Sequence, residues 1–200
     1  QYTFFAPQDP YGLIALFGGD KPFTTKLDGF FTNTDSMGEE ASSDITGLIG
    51  QYAHGNEPSH HVAYLYAYAG EQWKTAEKVR FIMSDFYTDQ PDGIIGNEDC
   101  GQMSAWYLLS SMGLYQVNPS DGVFVFGSPC FKKVEMKVRG GNTFTVEALN
   151  NSKENIYIQK VYLNGKPYDK SYITHEQIMS GATLEFVMGS QPGPVWYTNE

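Results

Sequence analysis

The hydrophobic pattern of this chain changes period near residue 115, and that change limits what the chain can fold into. Before it, apolar residues recur at threes and fours. DPYGLIALFGG offers Asp9 as an N-cap, Pro10 at the first helical position and a Gly pair as a stop. Phe23, Leu27, Phe30 and Phe31 follow Asp20 at helical spacing. VAYLYAYAG is apolar on nearly every side and predicts a buried helix, WKTAEKVRFIMSDFY predicts an amphipathic one, and QMSAWYLLSSMG a third. From Met37 to Pro58 the chain is polar and Gly-rich, which reads as a loop with one short turn around Asp44 to Leu48.

After Tyr115, VFVFG, KVEMKVRGG, TFTVEALN, IYIQKVYLNG and TLEFVMG are short and rich in β-branched and aromatic residues, and several alternate strictly. Gly140-Gly141, Asn150-Asn151 and Asn164-Gly165 separate them, the last being the strongest hairpin signal in the chain. The sequence therefore predicts an α+β chain, helical to about residue 117 and all-β and antiparallel over 118–200.

A chain of 200 residues, 41% hydrophobic, can bury a substantial core. Its formal net charge of -10, with no local cluster of Lys or Arg, argues against a nucleic-acid partner. No apolar run is long enough to span a bilayer. The absence of a start methionine before QYTFFAP reads as a cut in a longer precursor. Cys100 and Cys130 are the two cysteines, and a free buried thiol is the favoured reading of each over a disulfide.

Functional groups concentrate in two loops. YAHGNEPSHH, residues 52–61, carries Asn56, Glu57 and three histidines ahead of an apolar helix. PDGIIGNEDCGQMSAW, residues 91–106, sets Asn97, Glu98 and Asp99 between glycines ahead of another. Each residue has a plain structural reading. Asp99 or Asn97 can cap the helix that begins near Gln102, Glu57 can cap or face solvent, and His60 and His61 can be hydrogen-bonded core residues. Three polar residues between glycines exceed what one cap needs, however, and GNE occurs in both loops. The two loops are expected to meet at one end of the helical array.

Asn56, Glu57 and Asp99 are oxygen donors, which suit a hard cation such as calcium better than zinc; HExxH and an EF-hand loop are both absent. Nucleophile elbows, phosphate-binding glycine loops and dinucleotide fingerprints are absent as well.

QYTFFAP, MGEE, GNEPSHHVAYLYAYAGEQWKTAEKVRFIMSDFY, PDGIIGNEDCGQMSAWYLLSSMGLYQVNP and TLEFVMGSQPG together, in this order, closely resemble the C-terminal region of glycoside hydrolase family 92. Members of that family are exo-acting, inverting, calcium-dependent α-mannosidases, mostly secreted or periplasmic bacterial proteins acting on N-glycans or yeast mannan. The resemblance implies a helical fragment of an (α/α)6 barrel followed by a small β region, with an N-terminal β-sandwich and further barrel helices upstream. It makes Asp99 the general base with Glu98 in support. It gives Asn56 and Glu57 to calcium and the mannose hydroxyls, and places His60, His61 and Asn97 at the substrate. Some members carry Asp where this chain has Asn97. The family's general acid is a glutamate just upstream of the stretch matching QYTFF, so an isolated fragment is expected to be inactive. Two rivals are an enzyme-like module without activity and a non-catalytic carbohydrate-binding module displaying Tyr162, Tyr168, Trp196 and Tyr197.

Overall fold

The computed structural model describes residues 2–35 and 45–198. The MGEE stretch, and the start of the predicted turn at Asp44, lie outside the described residues. Helix α1 (Pro10–Leu16) opens as its sequence predicts, with Asp9 Oδ1 accepting from the Gly12 N–H at 2.8 Å. In α2 (Asp20–Thr32), Gly19 takes the cap position and Asp20 sits inside the first turn, where a carboxylate favours the positive end of the helix dipole. Phe23, Leu27 and Phe31 bury its inner face.

The polar segment that follows holds a small antiparallel hairpin, β1 (Leu48–Ile49) and β2 (Tyr52–Ala53). Strands of two residues are too short for alternation to reveal them.

The predicted buried helix over VAYLYAYAG is corrected. Two 3-10 turns, Glu57–Ser59 and Val62–Tyr64, lead into α3, which is only Leu65–Tyr68. Gly70, at φ 77, ends the segment. Its residues are as buried as expected, but contacts in the core rather than helix propensity hold them. Helices α4 (Gln72–Asp85) and α5 (Gln102–Ser111) match their predicted spans closely.

The second half begins at β3 (Leu114–Tyr115), which pairs with β4 (Val123–Phe126), which pairs in turn with β9 (Tyr172–Thr174). Facing this sheet is a five-stranded one built from β5 (Lys133–Lys137), β6 (Thr143–Leu149), β7 (Tyr157–Leu163), β8 (Lys166–Pro167) and β10 (Thr183–Gly189), in the order β5-β6-β10-β7-β8. Phe126 of the smaller sheet meets Phe186 of the larger edge to face at 5.1 Å. The hairpin at Asn164-Gly165 is present, both residues at positive φ as a two-residue turn of that type requires.

The expectation of a wholly antiparallel, all-β region is overturned twice. Strand β10 enters between β6 and β7, so it runs antiparallel to β7 and parallel to β6. A parallel neighbour needs a crossover, and that connection carries helix α6 (His175–Met179), closed by a capping box between Thr174 and Gln177. Asn150-Asn151, read from sequence as a turn separating strands, does end β6, with Asn150 at φ 60, and the connection runs on to β7 at Tyr157.

The halves are bolted together by buried polar groups. Arg80 of α4 donates to Ser128 Oγ at 2.9 Å and to Asn151 Oδ1, and the Gln72 amide donates to the carbonyls of Phe126 and Gly127 at 3.1 and 2.7 Å. Tyr115, Val117 and Val125 join the helical core, so that core continues into the first strands.

Candidate active site

The first loop leaves β2 at His54, and the second leaves α4 through a backbone clasp. Thr88 N–H donates to Gly93 O at 2.8 Å, and Ile95 N–H donates to Phe86 O at 3.2 Å. With its base fixed, residues 96–101 project as a compact turn in which Asp99, Cys100 and Gly101 all have left-handed backbone, at φ 51, 59 and 91. An aspartate and a cysteine in that region cost roughly 1–3 kcal/mol each, and such strain persists where surroundings over-determine it. The surroundings are visible. Both Glu98 carboxylate oxygens are bonded to Ser104, one by its backbone N–H at 3.0 Å and one by its hydroxyl at 2.8 Å. Glu98 thus satisfies an otherwise unpaired N–H in the first turn of α5. The cap reading of Asp99 and Asn97 is not met: the cap position is Gly101, with no side-chain bond.

The two loops lie side by side, as expected. His60 accepts from the Gln102 amide at Nδ1 (3.1 Å) and donates from Nε2 to the His54 carbonyl (2.8 Å), while its own carbonyl accepts from the Trp106 indole (3.0 Å). A carbonyl only accepts, so His60 carries its proton on Nε2, and both ring nitrogens are engaged by protein. His61 Nε2 donates to Phe4 O at 2.9 Å. Burial pushes both imidazoles down, which keeps them neutral. These rings, expected at the substrate, lie in the core on protein partners.

His54, counted in the sequence but given no role there, is the most buried of the three. Tyr87 donates to Met103 O at 3.2 Å, so its oxygen accepts from His54 Nε2 at 2.7 Å, which leaves Nδ1 to accept from Tyr52 at 2.8 Å. Burial lowers its pKa to about 2. This chain of bonds ties the first loop to α5, and nothing local in the sequence announces it.

At the open end of the loops, Asp99 and Glu57 are exposed and their carboxyls are hydrogen-bonded to each other. That bond, with some desolvation and the negative charge of Glu57, holds the Asp99 carboxyl above its ordinary range. Two carboxylates so placed repel each other, and a shared proton or a cation between them would relieve that repulsion. Asn56 is half-buried beside Glu57, and Asn97 is exposed beside Glu98. Among the described residues, no group of three or more His, Cys, Asp or Glu gathers to hold a metal ion. The cysteines are both free, and Cys100 is exposed rather than buried. Of the aromatics in the binding-module reading, Tyr197 is buried with its hydroxyl on the Gln72 N–H, while Tyr162, Tyr168 and Trp196 line a shallow groove of about 330 Å³.

Residues 1–190 match the glycosyl hydrolase family 92 catalytic domain. The chain belongs to that family. It is 34% identical over 200 residues to an uncharacterized secreted glycosidase of Arthroderma benhamiae, covering 98% of this chain and 24% of that protein. Among solved structures it superposes with a TM-score of 0.90, at 44% identity, on a family 92 alpha-mannosidase from Bacteroides thetaiotaomicron in complex with mannoimidazole. A family 92 inverting mannosidase of the same species gives 0.82 at 37% identity. Both matches cover 96% of this chain and, respectively, 25% and 27% of those chains. The family 92 chain described here thus spans about a quarter of the length of its relatives. No helix among its described residues is long and apolar enough to cross a membrane.

Proposed function

We propose that this chain is the C-terminal part of a secreted or periplasmic, inverting, calcium-dependent exo-α-mannosidase that removes terminal α-linked mannose from glycans. The observation that carries the reading is Asp99. It is an exposed carboxyl with a raised pKa, held in left-handed backbone by a neighbour whose own oxygens are fully engaged. A general base needs that combination of access, fixed direction and affinity for a proton. In this reading Asp99 takes a proton from the attacking water, Glu98 positions it, and Asn97 lies at the rim where sugar hydroxyls would bind. The general acid would come from outside this chain. In an inverting enzyme it stands about 6.5–9.5 Å from the base, which leaves space for the water.

Calcium fits the donors in kind. Asn56 and Glu57 offer oxygen, and a cation held by them would offset the negative charge that Glu57 presents to Asp99. Calcium takes about six to eight oxygen ligands, so these residues would supply only part of its shell. When bound, it would hold and polarise sugar hydroxyls beside the base. His60 and His61, whose described ring bonds go to protein atoms, would shape the floor of the pocket from beneath.

The test is hydrolysis of an α-mannoside by the full-length protein, followed by proton NMR from the first turnover. Initial release of β-mannose, lost on chelation and restored by calcium, is the expected result. Initial release of α-mannose would overturn inversion, and sugar binding without any hydrolysis would favour the non-catalytic reading.

A further inference from the structure

Besides their direct contacts, the two loops that present Glu57 and Asp99 share one side chain that belongs to neither. The β1–β2 hairpin continues past its paired strands: His54 N–H donates to Gly47 O at 2.9 Å, and Gly55 N–H donates to Thr46 O at 3.1 Å. Thr46 therefore lies directly against Gly55, the residue that opens the first GNE. Gly96, which opens the second, packs on the same side chain. A Cβ placed on Gly55 would fall 2.0 Å from Thr46 Oγ1, and one placed on Gly96 would fall 2.6 Å from it and 3.4 Å from Gly55 Cα. Beside them, a Cβ on Gly47 would meet His54 Cβ and Ile95 Cγ2 at 3.1 Å. The hairpin extension is thus clamped between the loops along residues 46 and 47.

Thr46 Oγ1 is buried and has no hydrogen-bond partner among the described residues. A buried hydroxyl without a partner is unfavourable, so its presence points to the space it fills. We propose that Thr46 is a positioning residue: its side chain is the spacer that fixes the separation of the two GNE loops, and hence of Glu57 and Asp99. The glycines of both motifs are then required by a common cause, because each must leave room for the same oxygen. Thr46 touches neither carboxylate and acts only through the loops. This rests on the proposed function for its kinetic readout but not for its structural one.

Gly55 gives the clean test, because its backbone lies outside the left-handed region whereas Gly96, at φ 80, would be strained by any side chain. In the full-length protein, Gly55→Ala is expected to lower kcat by about tenfold or more, since small displacements of catalytic groups are costly, and to lower the unfolding temperature. Thr46→Ala opens space and lowers kcat with little change in KM, and Thr46→Val, which keeps the bulk, loses less. The double variant Thr46→Ala/Gly55→Ala removes the collision with Oγ1 and leaves the Cβ and carbonyl of residue 46 at 3.3 Å, a contact that a shift of a few tenths of an ångström relieves, so its kcat returns to within about threefold of Thr46→Ala and its unfolding temperature largely recovers. The spacer role is overturned if the double variant is as impaired and as unstable as Gly55→Ala, or if Thr46→Ala has wild-type kcat. Should Gly55→Ala alone fail to fold, folding of the double variant supports the role; if neither folds, Thr46→Ala against Thr46→Val decides it. If the wild-type protein hydrolyses no α-mannoside, the proposed function fails, and the recovery of unfolding temperature still decides the spacer.

Discussion

Glu98 and Ser104 are joined twice, carboxylate to backbone N–H and carboxylate to hydroxyl, across the turn that carries Asp99. The pair closes residues 98–104 into a ring and reinforces the backbone bonds from Met103 N–H to Glu98 O and from Gln102 N–H to Asp99 O, both at 3.2 Å, which shape the turn at Asp99. Ser104→Ala removes the hydroxyl bond alone and is expected to cost about 1 kcal/mol. Glu98→Ala also strips the helix of its N-terminal acceptor and is expected to cost about 2 kcal/mol. Chemical denaturation of both variants checks the order. Equal stability of Glu98→Ala and wild type would show that the turn is held by other means.

Asp99→Asn is expected to lower kcat by about 10²- to 10⁴-fold in the full-length enzyme on an α-mannoside. Asparagine tolerates left-handed backbone at least as well as aspartate, so the fold should be unharmed, which circular dichroism and the unfolding temperature would verify. Near-wild-type turnover would remove Asp99 from the mechanism.

Chelation of the full-length enzyme is expected to abolish hydrolysis, with recovery on adding calcium. Glu57→Gln, which removes one of the two crowded carboxylates, should raise the calcium concentration needed for half-maximal activity by about tenfold or more, a change of about 1.4 kcal/mol in binding. A calcium titration of activity in the two proteins makes the measurement, and coincident curves would take Glu57 out of the metal site.

The buried histidines make the chain sensitive to acid. His54, His60 and His61 have folded pKa values below the ordinary 6.5, that of His54 at about 2, with burial the main cause in each. Above pH 6.5 both states hold them neutral, and their contribution to stability is complete. Below it the unfolded chain binds protons that the folded one refuses, so stability falls as pH falls. His54 alone should cost about 2 kcal/mol between pH 6.5 and pH 5, at about 1.4 kcal/mol per pH unit. Denaturation of the metal-free protein across that range tests it, and a flat profile would mean that His54 is charged or exposed in the folded state.

The sequence by itself determined the elements whose causes are local. Asp9 and Pro10 start α1, the spacing of Phe23, Leu27 and Phe31 makes α2 amphipathic, and Asn164-Gly165 forms the β7–β8 turn, each because a few adjacent residues restrict the backbone. The repeated GNE also marked the loops that converge at Asp99 and Glu57. Only the tertiary structure decided who meets whom. Alternation declared β6, β7 and β10 as strands, but strand patterning carries no record of partner, and β10 took the place between the other two. Helix α3 shrank to Leu65–Tyr68 because core packing satisfies an apolar segment in 3-10 turns as well as in helix. The resemblance places His60 and His61 at the substrate, and the sequence assigns His54 no role. Their described bonds run to Tyr52, Tyr87, Gln102 and the carbonyls of His54 and Phe4, and the long-range pairings among them exist only after folding. Thr46 is the extreme case: its place between Gly55 and Gly96 depends on contacts across nine and fifty residues of chain, which no local pattern encodes.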